Sequence, residues 1–531
     1  MDDVQVASEL RPDEEHRAAR RLRSWFGIVL LVALSPTLTL SPFPSQDGSS
    51  HIYAARAIDG VLAGETPFAA IYDVDLSPNT NWLGGIFLYG LSRFVSPELA
   101  ERLLIVLFVT IFSCGWWRLA RGPKGIVRSP IVLFGPFFAT GMTLHLGFYS
   151  YGVGFALLPW VWSLATGPAR SLALAGSLAA VAWFGHVLPA AFACLGLVVI
   201  GSFAQTDSTR RRRIIEVVLS ALPSAVLSIY WLLTRPPATV PSTHLDAMTL
   251  LEAVVTLRPL SAWVGATEHV AMVMAVIFAA FVVGGHLVAR RPPPSPLLPR
   301  ARLWPWWALS GATLAAYLTL PEGGQGFWFV SERLGLYPWL ALVPVAANLN
   351  PRFAFPNSGL GKALTATIVT TCVLFGHLCW LAAKGIEEGQ ARSVGKMRSY
   401  IEKGTTSILL DFSRPETSRF RPYLHLLGRV AAEKGAVDAS SHEPHTDHFQ
   451  LRLRPHTGFP SPERLLGDPA TLTRNDLRNV CTLVSIDAEA EWVSRIEADG
   501  WREQTWARDE SSRTRIHHRD DAFCSRRTRG E

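Results

Sequence analysis

Between Trp25 and Lys384 the chain is a succession of apolar blocks separated by short polar turns, and this pattern constrains the fold more than any other feature. A hydrocarbon core of ~30 Å is crossed by about 20 apolar helical residues. The blocks 25–41, 101–120, 130–146, 148–166, 170–184, 186–204, 214–233, 268–289, 303–320, 334–350 and 362–383 approach that length, although several are short. They predict an all-α polytopic transmembrane bundle with roughly 11 spans, embedded in a lipid bilayer.

From Gly385 onward the composition is that of an ordinary charged domain. Over all 531 residues only 18% are charged, against about a quarter in soluble proteins, so the apolar part dominates. The net charge of +7 lies largely in short loops between apolar blocks, at Arg121–Arg128, Arg210–Arg213 and Arg290–Arg302. Positive-inside topology produces that distribution, and it argues against a nucleic-acid partner. The basic run His16–Arg23 flanks the first block without a small-residue cleavage site after it. Segment 1–24 therefore reads as a cytoplasmic N-terminus ahead of an uncleaved span.

Holding the basic loops inside leaves Asn81–Val95 as the odd block. It is short, lies between Pro78 and Pro97, and contains Gly84, Gly85 and Gly90, so it is expected to be a re-entrant or interfacial helix. The alternative makes it a true span and demotes a short pair near Gly147 or Gly185. The first assignment puts a large loop (42–100), the turns near His145–Ser150 and Gly185–His186, the loops 234–267 and 321–333, and everything after 384 outside the cytoplasm, in the plasma or inner membrane of a bacterium.

The region 385–512 alternates β-prone runs (Thr406–Asp411, His448–Leu453, Val480–Ile486) with helical patterns (Pro422–Lys434, Glu489–Ala498), predicting a small α/β domain. The basic stretch 513–531 is expected to be a disordered tail. Cys481 and Cys524 pair if the domain is extracytoplasmic and their geometry allows it.

The most informative local stretch is Ser41–Arg56. A Pro-rich turn after the first span delivers Asp47 to the membrane boundary, and His51 follows at the spacing that puts both on one helix face. A carboxylate beside an imidazole serves as a general base or orients a hydroxyl nucleophile. Asp is also a preferred helix N-cap, and the sequence leaves both readings open.

An Asp just after the first transmembrane helix, in a large first outer loop, resembles the GT-C glycosyltransferases, multi-span enzymes that take a sugar from a polyprenyl-phosphate donor. Further stretches are similar to bacterial members of that superfamily: Leu76–Trp82, Ala100–Leu104, His145–Phe155, Phe184–Pro189 and Ser331–Leu334, in that order over residues 25–385. The resemblance implies inverting transfer of a hexosyl or pentosyl group from a polyprenyl-phosphate sugar to an extracytoplasmic acceptor. Asp47 would accept the acceptor's proton, helped by His51, and Arg333 would hold the donor phosphate. Glu332, His145, His186 and Tyr149 complete the expected substrate-binding set. Asp73 and Asp75 have the spacing of a DxD metal motif, which leaves room for a divalent cation, although their position is not clearly that of the family.

The residues themselves keep simpler readings open, with His145 and His186 as hydrogen-bonded interfacial side chains and Glu332–Arg333 as an internal ion pair. His442–His448 holds three histidines but matches no standard metal spacing, and reads as a solvated loop. Two other functions compete. A transporter or lipid flippase predicts charged spans and two matching halves, neither of which is evident. A non-catalytic scaffold with an extracytoplasmic binding domain remains open.

Overall fold

The computed structural model describes residues 12–121, 127, 129–203, 210–234, 242–288, 300–323, 329–348, 359–414, 416–445, 449–454, 457–460, 471–473, 475–504 and 514–519. The loops carrying Arg290 and Arg291, most of 121–128 and 349–358, and His448 and Cys524 lie outside these.

The membrane part is built from helices α1 (Pro12–Thr39), α2 (Gly48–Leu62), a short strand β1 (Tyr72–Val74), α3 (Trp82–Ser92), α4 (Pro97–Leu119), α5 (Tyr149–Ala165), α6 (Ala169–Gly185), α7 (Val187–Phe203), α8 (Arg210–Thr234), α9 (Ala266–Val288), α10 (Arg300–Thr319) and α11 (Gly359–Tyr400). Among the described residues, five stretches are long and apolar enough to cross a membrane by length and composition. They are His16–Thr39, Pro97–Leu119, Arg210–Thr234, Ala266–Leu287 and Gly359–Tyr400. Of the remaining expected blocks, 303–320 is covered by a 20-residue helix that is less apolar than these five, and the others are shorter or interrupted. Block 130–146 is a 3-10 turn (Pro130–Phe134) and two brief helices (Gly135–Ala139, Met142–His145), and 334–350 contains Tyr337–Ala341 and Val343–Ala346. Pro136, Pro338 and Pro344 remove helical donors there. Pro130–Ala139 is entirely buried, the condition under which irregular backbone is tolerated at membrane depth. Elsewhere the bundle presents apolar side chains outward. On α8, Ile215, Val218, Leu219, Val226, Ile229, Leu232 and Leu233 are all more than half exposed, a surface suited to lipid. The chain is an integral membrane protein. Helix α3, the odd block, has 11 residues and is about 16 Å long, well short of a bilayer core.

Helix α11 has 42 residues, about 63 Å, and runs through the expected boundary at 384 into the C-terminal domain. That domain holds β2 (Thr406–Asp411), α12 (Leu427–Lys434), β3 (Val437–Asp438), β4 (Leu451–Leu453), β5 (Thr482–Ile486), α13 (Ala490–Ala498), β6 (Trp501–Glu503) and β7 (Thr514–Arg519). The small α/β domain is thus present. Its sheet has the order β3-β2-β5-β7-β6, with β2 parallel to β3 and β5 and the β5–β7 and β7–β6 pairs antiparallel. The expected tail therefore needs correction from Thr514 to Arg519, because β7 lies inside the sheet with Ile516 and His517 fully buried. Cys481 is disulfide-bonded.

Two devices fix the domain onto the first loop. Strand β4 leaves the main sheet and pairs antiparallel with β1, Tyr72 opposite Leu453 and Val74 opposite Leu451. Helix α12 packs on α2 so closely that a Cβ at Gly428 would lie 2.6 Å from the Ser49 carbonyl oxygen, which is why glycine stands there. The first loop and the C-terminal domain consequently share one side of the membrane.

Candidate active site

The chain leaves α1 and turns through Ser41–Ser45 into α2. The turn is held by the segment 142–149. The Gln46 N–H donates to the His145 carbonyl at 2.8 Å and the Asp47 N–H to that of Leu146 at 3.2 Å. His145 Nδ1 donates to the Pro44 carbonyl at 3.0 Å, and its ring packs among Phe43, Trp263 and Phe420. His145 therefore supports the turn from beneath. Gly147 makes the close approach possible. Its φ is +81°, and a Cβ there would lie 2.7 Å from the Gly48 nitrogen and 2.9 Å from that of Asp47.

Asp47 occupies the N-cap position of α2, yet its side chain makes no capping hydrogen bond. The carboxylate is 7% exposed, with His425 Nε2 at 3.6 Å from Oδ1. Burial pushes its pKa up to about 7, against the opposing pull of His51, Gln46 and Arg333. His51 has both ring nitrogens engaged, Nδ1 at 2.5 Å from the Glu443 carboxylate and Nε2 donating to the Gly147 carbonyl at 2.9 Å. Burial opposes its charged form, but the Glu443 carboxylate, with Asp47, outweighs this and raises its pKa. The His51 ring is thus held by Glu443 and the Gly147 carbonyl with its charged form favoured, beside a carboxylate whose pKa is raised.

The C-terminal domain closes over this carboxylate. His425, from the loop after β2, and His442, from the loop after β3, present ring nitrogens that lie with an Asp47 oxygen all within 4.8 Å of one another. Both imidazoles are pushed down to a pKa of about 3, mainly by burial, and so are neutral. The solvated-loop reading of 442–448 is therefore corrected for its first residues. Glu443 is 3% exposed and His442 packs edge-on against Phe449, whose ring also faces His51.

Arg333 approaches from the other side. Its Nη1 donates to His186 Nε2 at 2.9 Å, its guanidinium carbon lies 4.1 Å from the centre of the Phe148 ring, and its buried Nε has no acceptor. Its backbone carbonyl accepts the Tyr151 hydroxyl at 2.5 Å. Glu332 does not pair with Arg333. It is bound by Arg419 of the C-terminal domain, which removes one of its oxygens from substrate binding. The Tyr149 hydroxyl is likewise committed, donating to Glu101 at 2.6 Å.

Asp73 and Asp75 lie on and just after β1, away from this cluster. Arg454 holds Asp73 at 2.9 Å and Arg452 holds Asp75 at 3.2 Å, so each acid faces an arginine. Among the described residues, the donor set that fits a metal ion is Asp47, His425 and His442. Nothing in the sequence marks His425 or Arg419, and Glu443 lies in the His442–His448 cluster read as a loop; all three reach the site only through the fold of the C-terminal domain.

Fold and site together define an integral membrane protein with a buried acidic centre between its first loop and its C-terminal domain. No protein-family model and no curated protein matches the chain. Among solved structures it is similar to the arabinofuranosyltransferase AftD from Mycobacteria, with a TM-score of 0.45 and 15% identity over 93% of this chain. It spans 41% of that protein's chain. It is also similar to ArnT from Cupriavidus metallidurans in the apo state (TM-score 0.48, 11% identity, 94% of this chain and 98% of that one). A structure of ArnT bound to undecaprenyl phosphate gives a TM-score of 0.48 and 10% identity over 95% and 98% of the two chains.

Proposed function

We propose that this chain is a membrane glycosyltransferase of the GT-C type, moving a sugar from a polyprenyl-phosphate donor to a hydroxyl acceptor outside the cytoplasm. The observation that carries the reading is Asp47. It follows the first span directly, is buried and free of a capping bond, and has a pKa raised to about 7. A general base works best when its pKa lies near the working pH. The acceptor oxygen attacks the anomeric carbon as its proton passes to Asp47, and the bond to the donor phosphate breaks from the opposite face, so the configuration inverts. The departing phosphate gains negative charge. Arg333, whose Nε has no acceptor, is the nearby donor suited to offset it.

The test is transfer from a panel of radiolabelled polyprenyl-phosphate sugars by the purified protein in detergent. Transfer by wild type that Asp47→Asn abolishes supports the reading. Equal transfer by both variants removes Asp47 from the chemistry, and no transfer from any lipid-phosphate sugar overturns the donor class.

A further inference from the structure

We propose that Asp47, His425 and His442 form a binding site for one divalent transition-metal ion of the zinc type, clamped between the first loop and the C-terminal domain.

The donor atoms come from three separate segments, and all lie within 4.8 Å of one another. A tetrahedral ion with bonds of 2.0–2.2 Å sets its donors about 3.4 Å apart. His425 Nε2 and Asp47 Oδ1, at 3.6 Å, are already at that separation, beyond a normal hydrogen bond. The third donor needs to close by about an ångström, within the reach of a side-chain rotation.

A second observation points to a ligand. His425 is 3% exposed, the Nε2 it turns to Asp47 is at 3.6 Å, beyond a hydrogen bond, and the buried His442 Nδ1 has no partner. The two rings lie 4.8 Å apart, centre to centre. Buried imidazole nitrogens are normally hydrogen-bonded or bound to a metal, because leaving them bare costs free energy. Two imidazoles and one carboxylate suit zinc and its neighbours, whereas magnesium and calcium prefer all-oxygen sites. Three protein ligands leave a fourth position for water or a phosphate oxygen.

The site goes beyond the transferase reading and does not require it. A metal ion on Asp47 would lower its pKa, so the loaded site and the proton-accepting role of Asp47 are alternative states of one carboxylate. Because one ligand belongs to the first loop and two to the C-terminal domain, the ion would also tie the two together.

The experiment uses untagged full-length protein in detergent, stripped with chelator and dialysed against Zn²⁺ or Co²⁺. We expect one equivalent of zinc by elemental analysis and the visible absorption of tetrahedral Co²⁺, displaced by zinc. His425→Ala and His442→Ala should weaken binding at least ~100-fold, while the neighbouring His445→Ala should not. Melting curves establish that each variant is folded. If an alanine variant fails to fold, the wild-type cobalt spectrum decides, and its absence overturns the site. Wild-type affinity in a folded His442→Ala variant also overturns it. These readouts are independent of sugar transfer, so a wild type that takes up neither Zn²⁺ nor Co²⁺ yet transfers sugar removes the site and leaves the transferase reading intact.

Discussion

Arg429 Nη2 lies 2.8 Å from Glu101 Oε2, with both side chains almost wholly buried although 328 positions separate them in sequence. Glu101 opens the span α4 and Arg429 sits on α12, so the pair joins the bundle to the C-terminal domain. The Tyr149 hydroxyl donates to the same carboxylate, completing its surroundings. Removing one member of a buried pair strands the other, at a cost of about 3–5 kcal/mol. Arg429→Met should therefore lower the melting temperature markedly, and Glu101→Gln combined with Arg429→Met should cost less than the sum of the two. Additive effects in thermal melts would show that the contact is energetically idle.

Asp47→Asn should leave expression and melting unchanged, since the side chain caps nothing. Activity should fall 10²–10⁴-fold, the usual contribution of a general base. His51→Gln should cost less, because the His51 ring is bound to Glu443 and the Gly147 carbonyl and acts on Asp47 only through its charge. Full activity in the Asn variant would move the base elsewhere.

Gly147→Ala forces a side chain into a left-handed backbone and against the Asp47 nitrogen. We expect a loss of about 1–3 kcal/mol in stability together with reduced transfer, because the turn that aims the carboxylate must shift. A variant that melts and transfers like wild type would refute this role for the glycine.

Arg333→Lys keeps the charge but loses the planar fork that binds phosphate oxygens and stacks on Phe148. The expectation is a raised KM for the lipid-phosphate donor with little change for the acceptor. His186→Ala, which removes the Nη1 contact, should act in the same direction and more weakly. A change confined to the acceptor KM would assign Arg333 to the other substrate.

Pairing of β1 with β4 requires the first loop and the C-terminal domain to face the same compartment. Cysteines placed at the exposed positions Ala63 and Ala490 should both label with an impermeant reagent from outside the cell. Labelling of both only after the membrane is opened would invert the proposed orientation. Labelling of one alone would contradict the fold.

The sequence by itself determined what depends on local pattern. Apolar blocks such as 101–120 and 214–233 became long helices because backbone groups in lipid must bond within their own segment. The runs Thr406–Asp411 and Thr482–Ile486 became central strands because continuous apolar stretches pack on both faces. The placement of Asp47 after the first span was equally legible. Tertiary structure decided the rest. The sequence of β7, Thr514–Arg519, is polar and basic and looks like a tail, yet it is paired on both edges inside the sheet. Asp73 and Asp75 look like a metal motif, but strand pairing sets arginines beside them. His442 reads as a solvated loop residue and His425 as part of the helical run Pro422–Lys434, until the docking of the C-terminal domain brings them against Asp47. Long-range pairings of this kind depend on which surfaces meet after the chain has folded, and the spacing of residues along the sequence does not encode that.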